Sequence, residues 1–340
     1  MLLITPLVAE LERTYKGAEI DIVSEGALAA DIFATFFSVK NIYCLPRRGF
    51  KHPPSFLSLI FKIRKTHYDL IIDPSFGSGF SRTLTRIFKG RYKLGFSDSA
   101  TSPELTHAVP QSMAPKHMAK RPVGLVRWHS PVTHNESPGF PAMDIRLTAD
   151  ERSNGKIVIQ QLLGASAASP VPCVIGIFAD ATGSKRYPTT WWNEFIASLQ
   201  ELSPHVAIIE IVPMHGKSML GSAWPSYYSS SIRRMAAVMS GLDMVISADC
   251  GVMHLAAASR VPTLGMFCVT DANVYGPYGD LNSSLVTKEL TPDEAARRVL
   301  DSAPASLKES MRGTRITHRV ATNAQASNES ILSDSFDQHP

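Results

Sequence analysis

The chain reads as an α/β protein built from two doubly wound domains with parallel sheets, and three observations predict it. In both halves short apolar runs bounded by turn residues alternate with longer stretches of helical period, the pattern of strands joined by crossover helices. A stretch dense in Pro, Ser, Asn and Gly at 129–141 separates the two series. In the second series three strands run out into loops of small and polar residues, where open parallel sheets place their ligands. At 340 residues the chain suits two domains of about 150 residues each. They are expected at 1–145 and 146–302, with 303–340 a polar, disordered tail whose single aromatic is Phe336.

The elements follow in order. Leu3, Leu7, Leu11 and Tyr15, with Val8 beside them, give residues 2–16 one apolar helical face, and Gly17 supplies the stop. Residues 19–24 and 68–73 read as strands, 27–37 and 56–65 as helices, and 92–96 and 106–109 as shorter strands. Beyond the connector, 173–178, 207–212, 244–247 and 263–267 read as strands, and 190–202, 231–240 and 292–300 as helices. An α/β domain of this kind ordinarily opens with a strand that lies mid-sheet, whereas this chain starts inside its first helix. Either the first sheet lacks its central strand, or the true start lies upstream.

Composition narrows the function classes. With 44% hydrophobic and 19% charged residues the chain has the make-up of an ordinary globular protein. No apolar run approaches the ~18 residues of a membrane span, and residues 1–10 lack the basic n-region and small-residue cleavage site of a signal peptide. Cys44, Cys173, Cys250 and Cys268 are widely spaced, with neither a CxxC pair nor a histidine cluster, so a reduced, cytoplasmic setting without structural zinc is expected. Charge is uneven. Residues 40–121 carry fifteen Lys/Arg against four acids (Asp69, Asp73, Asp98 and Glu104), an excess of +11. That excess suits an anionic partner or simply a solvated basic face. No aromatic-interleaved RNA-binding signature accompanies it, so nucleic acid is not expected as a partner.

Three loops carry candidate chemistry. After the strand at 173–178 comes Ala179-Asp180-Ala181-Thr182-Gly183-Ser184-Lys185-Arg186-Tyr187-Pro188, where backbone N–H groups and Thr182 can meet phosphate oxygens and Lys185 can act as a point cation. After 244–247 comes Asp249-Cys250-Gly251-Val252-Met253-His254, an acid and a glycine opening a small-residue helix with a histidine one turn in. The unpaired N–H groups of such a helix start favour phosphate, although Asp-x-Gly is equally common as a simple cap. After 263–267 comes Cys268-Val269-Thr270-Asp271, then Tyr275-Gly276-Pro277.

Taken together these residues resemble the glycosyltransferase family 9 heptosyltransferases. That family shows Lys-x-Trp-Pro, Asp-Ser/Thr-Gly-x-x-His-x-Ala-Ala and Phe-Gly-x-Thr before Gly-Pro. Here stand Lys185-Arg186-Tyr187-Pro188, Asp249-Cys250-Gly251-Val252-Met253-His254-Leu255-Ala256-Ala257, Phe267-Cys268-Val269-Thr270 and Gly276-Pro277. The resemblance implies a GT-B fold, two Rossmann-like domains facing across a cleft, with the first strand of the N-terminal domain missing. It implies an inverting, metal-independent transfer of heptose from ADP-heptose to the lipopolysaccharide inner core, with no cofactor. On this reading Lys185 stabilises the leaving diphosphate, and Thr182, Gly183, Lys185, Asp249, Cys250, Gly251, His254 and Thr270 bind the donor. Ser81, Arg82 and Arg121 would meet an anionic lipopolysaccharide-core acceptor, with peripheral contact at the inner face of the inner membrane.

The departures define the rival readings. Cys250 replaces a hydroxyl residue and Cys268 a glycine, which offers a weaker hydrogen-bond partner and a more crowded loop. The family's Asp general base would precede Met1. Asp73, at the end of the strand at 68–73 and before Pro74, is the nearest remaining acid by position, though a loop-capping role suits it better. The rivals are an inactive homologue that only binds nucleotide, and a GT-B enzyme using another sugar nucleotide.

Overall fold

The computed structural model describes residues 1–46, 53–99, 102–128, 139–164 and 173–303, with Lys308 and Met311. Residues 129–138 of the connector and nearly all of the expected tail lie outside the described residues. A 3₁₀ turn, Leu2–Ile4, leads into α1 (Thr5–Thr14), where Pro6 stands in the first turn and needs no N–H partner. Then come β1 (Ile20–Glu25), α2 (Leu28–Phe33), β2 (Val39–Leu45), α3 (Pro53–Lys65), β3 (His67–Asp73) and α4 (Gly79–Ile87). The half closes with β4 (Lys89–Phe96), β5 (His107–Val109) and α5 (Arg121–Arg127). All its strand pairs are parallel, but they form two separate sheets, β1-β2 and β3-β4-β5.

The second half has α6 (Ala149–Leu162), β6 (Cys173–Phe178), α7 (Thr189–Leu202), β7 (Val206–Ile211), β8 (Ser226–Tyr227) and α8 (Ile232–Met239). It continues with β9 (Met244–Ala248), α9 (Gly251–Ala258), β10 (Thr263–Phe267), α10 (Ala272–Tyr275), β11 (Ser283–Val286) and α11 (Pro292–Ser302). One parallel sheet runs β11-β10-β9-β6-β7-β8. Its first strand, β6, lies mid-sheet, and the winding direction reverses between β6 and β9, the switch point at which such sheets bind ligands. β6, β9 and β10 are buried at every residue, as strands covered by helices on both faces must be.

Side-chain contacts lock the halves together. One buried cluster spans Val8, Ile22, Ile32 and Phe33 of the first half and Ile159, Met235, Leu255 and Ala256 of the second. The Arg233 guanidinium donates to Glu151 at 2.6 and 2.7 Å and to the Ile145 and Asp31 carbonyls at 3.2 Å. Thr35 Oγ1 donates to the Arg146 carbonyl at 2.7 Å. α6 and α8 approach so closely that a Cβ at Gly155 would lie 2.0 Å from the Ala237 carbonyl oxygen.

Candidate active site

The three loops singled out in the sequence meet at the switch point. After β6 the chain turns through Gly183 (φ +62) into a 3₁₀ turn, Gly183–Lys185, which carries Lys185 toward the end of β9. Lys185 Nζ lies 3.3 Å from Asp249 Oδ2. The third loop supplies Thr270, whose hydroxyl donates to the same carboxylate oxygen. Asp249 is buried, while Lys185 keeps a quarter of its side chain exposed, so the ammonium can be reached from the cleft. Cys268 is accommodated: its Sγ lies 3.8 Å from both the Ser184 and Lys185 carbonyls and laces the third loop to the first.

The start of α9 is open. Cys250 occupies its N-cap with extended backbone, and its buried thiol faces the Val252 and Met253 N–H groups as a weak acceptor in place of a hydroxyl cap. Gly251 is exposed, and a Cβ there would meet nothing within 4 Å. Cys250 Sγ lies 3.6 Å from Ser247 Oγ, and burial raises the thiol's pKa, which keeps it neutral. Thr182 is exposed beside the first loop. One turn into α9, His254 has a buried Nδ1 with no hydrogen-bond partner. Burial, reinforced by nearby His117, lowers its pKa to about 4, so the imidazole is neutral near pH 7.

The first half reaches this site through residues that local patterning did not reveal. Lys116 Nζ pairs with Asp271 at 2.9 Å, and the Met118 N–H donates to the Val274 carbonyl at 3.1 Å. His117 accepts from the Ala119 N–H at Nδ1 (3.2 Å), which leaves Nε2–H to donate to the Gly276 carbonyl at 3.0 Å. Burial lowers the His117 pKa as well. Gly276 must lack a side chain, since a Cβ there would stand 2.6 Å from the Ala272 carbonyl. Behind the site, buried Glu210 accepts from Ser218 Oγ and the Met219 N–H at 2.6 Å and organises the loop after β7.

The acceptor-side candidates are placed differently. Asp73 is buried and accepts from Ser75 N–H (3.1 Å), Ser75 Oγ (2.5 Å) and Ser81 Oγ (2.6 Å), with Arg82 at 3.6 Å. It is the loop cap of β3. Ser81 is committed to that carboxylate, and Arg82 is held by Asp73, by Glu104 at 3.4 Å and by the Phe96 carbonyl at 2.6 Å. Both side chains turn into the protein rather than out to a ligand. Arg121 stacks over Phe76, its carbon 4.7 Å from the ring centroid, and donates to the Pro115 and Lys116 carbonyls. Among the described residues no cluster of three or more His, Cys, Asp or Glu is arranged to hold a metal ion.

Two halves of parallel strands and crossover helices, with the strand-end loops gathered at the switch point of the second, give the chain the GT-B fold, and its family match makes it a glycosyltransferase. Residues 56–301 match the family model of glycosyltransferase family 9 (heptosyltransferase). The chain belongs to that family. Its structure is similar to E. coli heptosyltransferase WaaC with ADP (TM-score 0.68, 20% identity, covering 89% of this chain and 96% of that one). It is similar to E. coli ADP-heptose lps heptosyltransferase II (TM-score 0.65, 15% identity, 88% and 93% covered). A glycosyl transferase family 9 protein from Veillonella parvula gives a TM-score of 0.68 at 16% identity, with 84% and 81% covered. At these identities the likeness is one of fold. No curated protein matches the chain.

Proposed function

We propose that the protein transfers heptose from ADP-heptose to the lipopolysaccharide inner core, inverting the anomeric carbon without a metal. The observation that carries this reading is the meeting of Lys185, Asp249 and Thr270, one from each of three strand-end loops, beside the open start of α9. The similar WaaC structures hold ADP and ADP-2-deoxy-2-fluoro heptose. In the reaction an acceptor hydroxyl forms a bond to the anomeric carbon while the bond to the diphosphate breaks on the opposite face. Lys185 and the N–H groups after Gly251 stabilise the charge that develops on departing ADP, an interaction stronger in the transition state than before it. Thr182 and Gly183 line the phosphate side. Asp249 holds sugar hydroxyls, and neutral His254 offers a ring N–H or lone pair to a phosphate or sugar oxygen.

The proton of the acceptor hydroxyl needs a base, and Asp73, 1% exposed, is buried as a loop cap rather than open to an acceptor. That observation favours a second reading, in which this chain binds the nucleotide without transferring sugar. A third keeps the fold and changes the sugar nucleotide. Calorimetric titration with ADP-heptose and UDP-sugars, followed by a transfer assay, separates the three. Lys185→Ala is expected to weaken ADP binding about tenfold and to lower any transfer on the order of 100-fold. Unchanged ADP binding in this variant would sink the donor-site assignment.

We also place the protein at the cytoplasmic face of an anionic membrane. α3 exposes Leu57 and Phe61 one turn apart, with Lys62, Arg64 and Lys65 beside them. No described helix is long and apolar enough to cross a membrane. Co-sedimentation with phosphatidylglycerol vesicles, lost in Phe61→Asp, is the expected result; equal binding to neutral vesicles would remove the electrostatic part of this reading.

A further inference from the structure

The third loop of the site takes its shape from the first half of the chain. α10 (Ala272–Tyr275) is a single helical turn with no buried side chain. A helix this short does not hold itself in water, because so few intrahelical hydrogen bonds do not offset the ordering of its residues. Its own contribution is small. Tyr275 N–H donates to the Asp271 carbonyl at 3.1 Å, Gly276 N–H to the Ala272 carbonyl at 2.8 Å, and Asp271 caps the start by accepting from Asn273 N–H at 2.9 Å. Three consecutive residues of the first half then grip the turn along its length. Lys116 meets Asp271 at the N-cap, Met118 N–H donates to the Val274 carbonyl, and His117 Nε2 donates to the Gly276 carbonyl at the C-cap.

The three ties are unequal. The side chains of Lys116 and Asp271 are 62% and 46% exposed, so water screens that pair. The Met118 tie is a single backbone bond. His117 is partly buried and both its ring nitrogens are engaged: Nδ1 accepts from Ala119 N–H, so Nε2 carries the proton given to Gly276. Its ring lies against Tyr278, the centroids 5.2 Å apart. The backbone that presents it is fixed. The His117 carbonyl accepts from Lys120 N–H at 3.0 Å, the Arg121 guanidinium donates to the Pro115 and Lys116 carbonyls at 3.3 and 3.1 Å, and Ala119 is fully buried. At the far end Gly276 is buried, and a Cβ there would stand 2.7 Å from Ser284 Oγ of β11. A firm base thus meets a closely fitted acceptor.

α10 follows directly on Thr270-Asp271, and the Thr270 hydroxyl donates to Asp249, the carboxylate that faces Lys185. Slippage of α10 draws Thr270 off Asp249 and leaves that carboxylate wholly to Lys185, so an incoming diphosphate has more to displace. We infer that His117 is a positioning residue for the donor seat: by holding Gly276 from the first half of the chain, it fixes α10 and keeps Thr270 on Asp249. The phosphate seat of one half is thereby completed by a side chain of the other. The inference rests on the donor reading of this site.

Two conservative variants separate the jobs of the ring. His117→Asn keeps an oxygen that can accept from Ala119 N–H two residues on, as Asn does in turns, but does not reach Gly276. His117→Gln keeps an amide N–H that reaches Gly276. The Asn variant is expected to weaken ADP binding in calorimetry about tenfold, the effect of one partly buried hydrogen bond, and to speed amide exchange at Tyr275 and Gly276 about tenfold. The Gln variant is expected to stay within about twofold of the parent chain in both. Unchanged exchange at Tyr275 and Gly276 in the Asn variant would overturn the clamp. Faster exchange with ADP affinity unchanged would overturn its link to the seat. Equal losses in the two variants would assign the effect to ring packing and overturn the role of the Gly276 bond. Should the parent chain bind no ADP, the donor reading falls with it, and the exchange measurement decides the clamp alone.

Discussion

In the C-terminal half β6 sits between β7 and β9 with all six residues buried, and one hydrogen-bonded ladder runs across six strands. In the N-terminal half the corresponding position is a cavity, and the strands on either side form two ribbons. Those ribbons stay in place through side chains. Glu10 of α1, 1% exposed, pairs with Arg127 of α5 at 3.0 Å; Tyr68 reaches Asp21; and α1 and α2 pack on the neighbouring half. In this half helices and a few polar ties span the gap between the two sheets. One half is closed by backbone, the other by side chains, and the two should respond differently to the same kind of change.

The largest expected difference concerns added volume. Gly155→Val drives methyl groups into the Ala237 carbonyl and should cost about 3 kcal/mol or more, read as a fall in chemical denaturation midpoint. Leu70→Phe adds comparable bulk at the rim of the cavity and should shift stability by less than about 0.5 kcal/mol. Equal losses at the two sites would break the comparison.

Acid should also act on the C-terminal half. His254 is held at about 4 in the folded protein against about 6.5 when unfolded, so the unfolded chain takes up the proton first. Its contribution is intact above pH 6.5 and is lost as pH falls toward 4, about 3 kcal/mol in all. His117, also lowered, adds in the same direction. His254→Gln should flatten this slope in denaturation curves between pH 7 and 4; an unchanged slope would assign the acid sensitivity elsewhere.

The two halves were also unequally legible. β6 and β10 stand at the boundaries expected from sequence, because central parallel strands are continuous apolar runs between turn residues. β2 was not anticipated: its sequence, VKNIYCL, carries Lys40 and Asn41 on an edge strand and breaks the apolar run. α2 ends at Phe33, earlier than the apolar pattern to 37 suggested; just beyond it Thr35 donates to the Arg146 carbonyl, a tie no local pattern encodes. α6 was passed over although Thr148 and Glu151 form a capping box, a readable signal that its sparse apolar face obscured. At the site, the strand-end loops disclosed Lys185, Asp249 and Thr270. His117 and Lys116 escaped notice because their partners, Gly276 and Asp271, lie more than 150 residues away in sequence. Ser81 and Arg82 looked like outward-facing cleft residues until the buried Asp73 drew both inward.

The Lys185–Asp249 pair has a consequence for turnover. The resting site already contains an anion for its cation, since Asp249 sits where it neutralises Lys185. On the proposed reading a diphosphate would compete with that carboxylate, and Thr270, hydrogen-bonded to Asp249, would remain its partner if the ammonium turned away. Part of the attraction for the ligand is thus cancelled in advance, and the same carboxylate can reclaim Lys185 once the sugar has left. Under the proposed function, a tethered rival of this kind would trade tightness of capture for speed of product departure, and the pair would act as an internal reset.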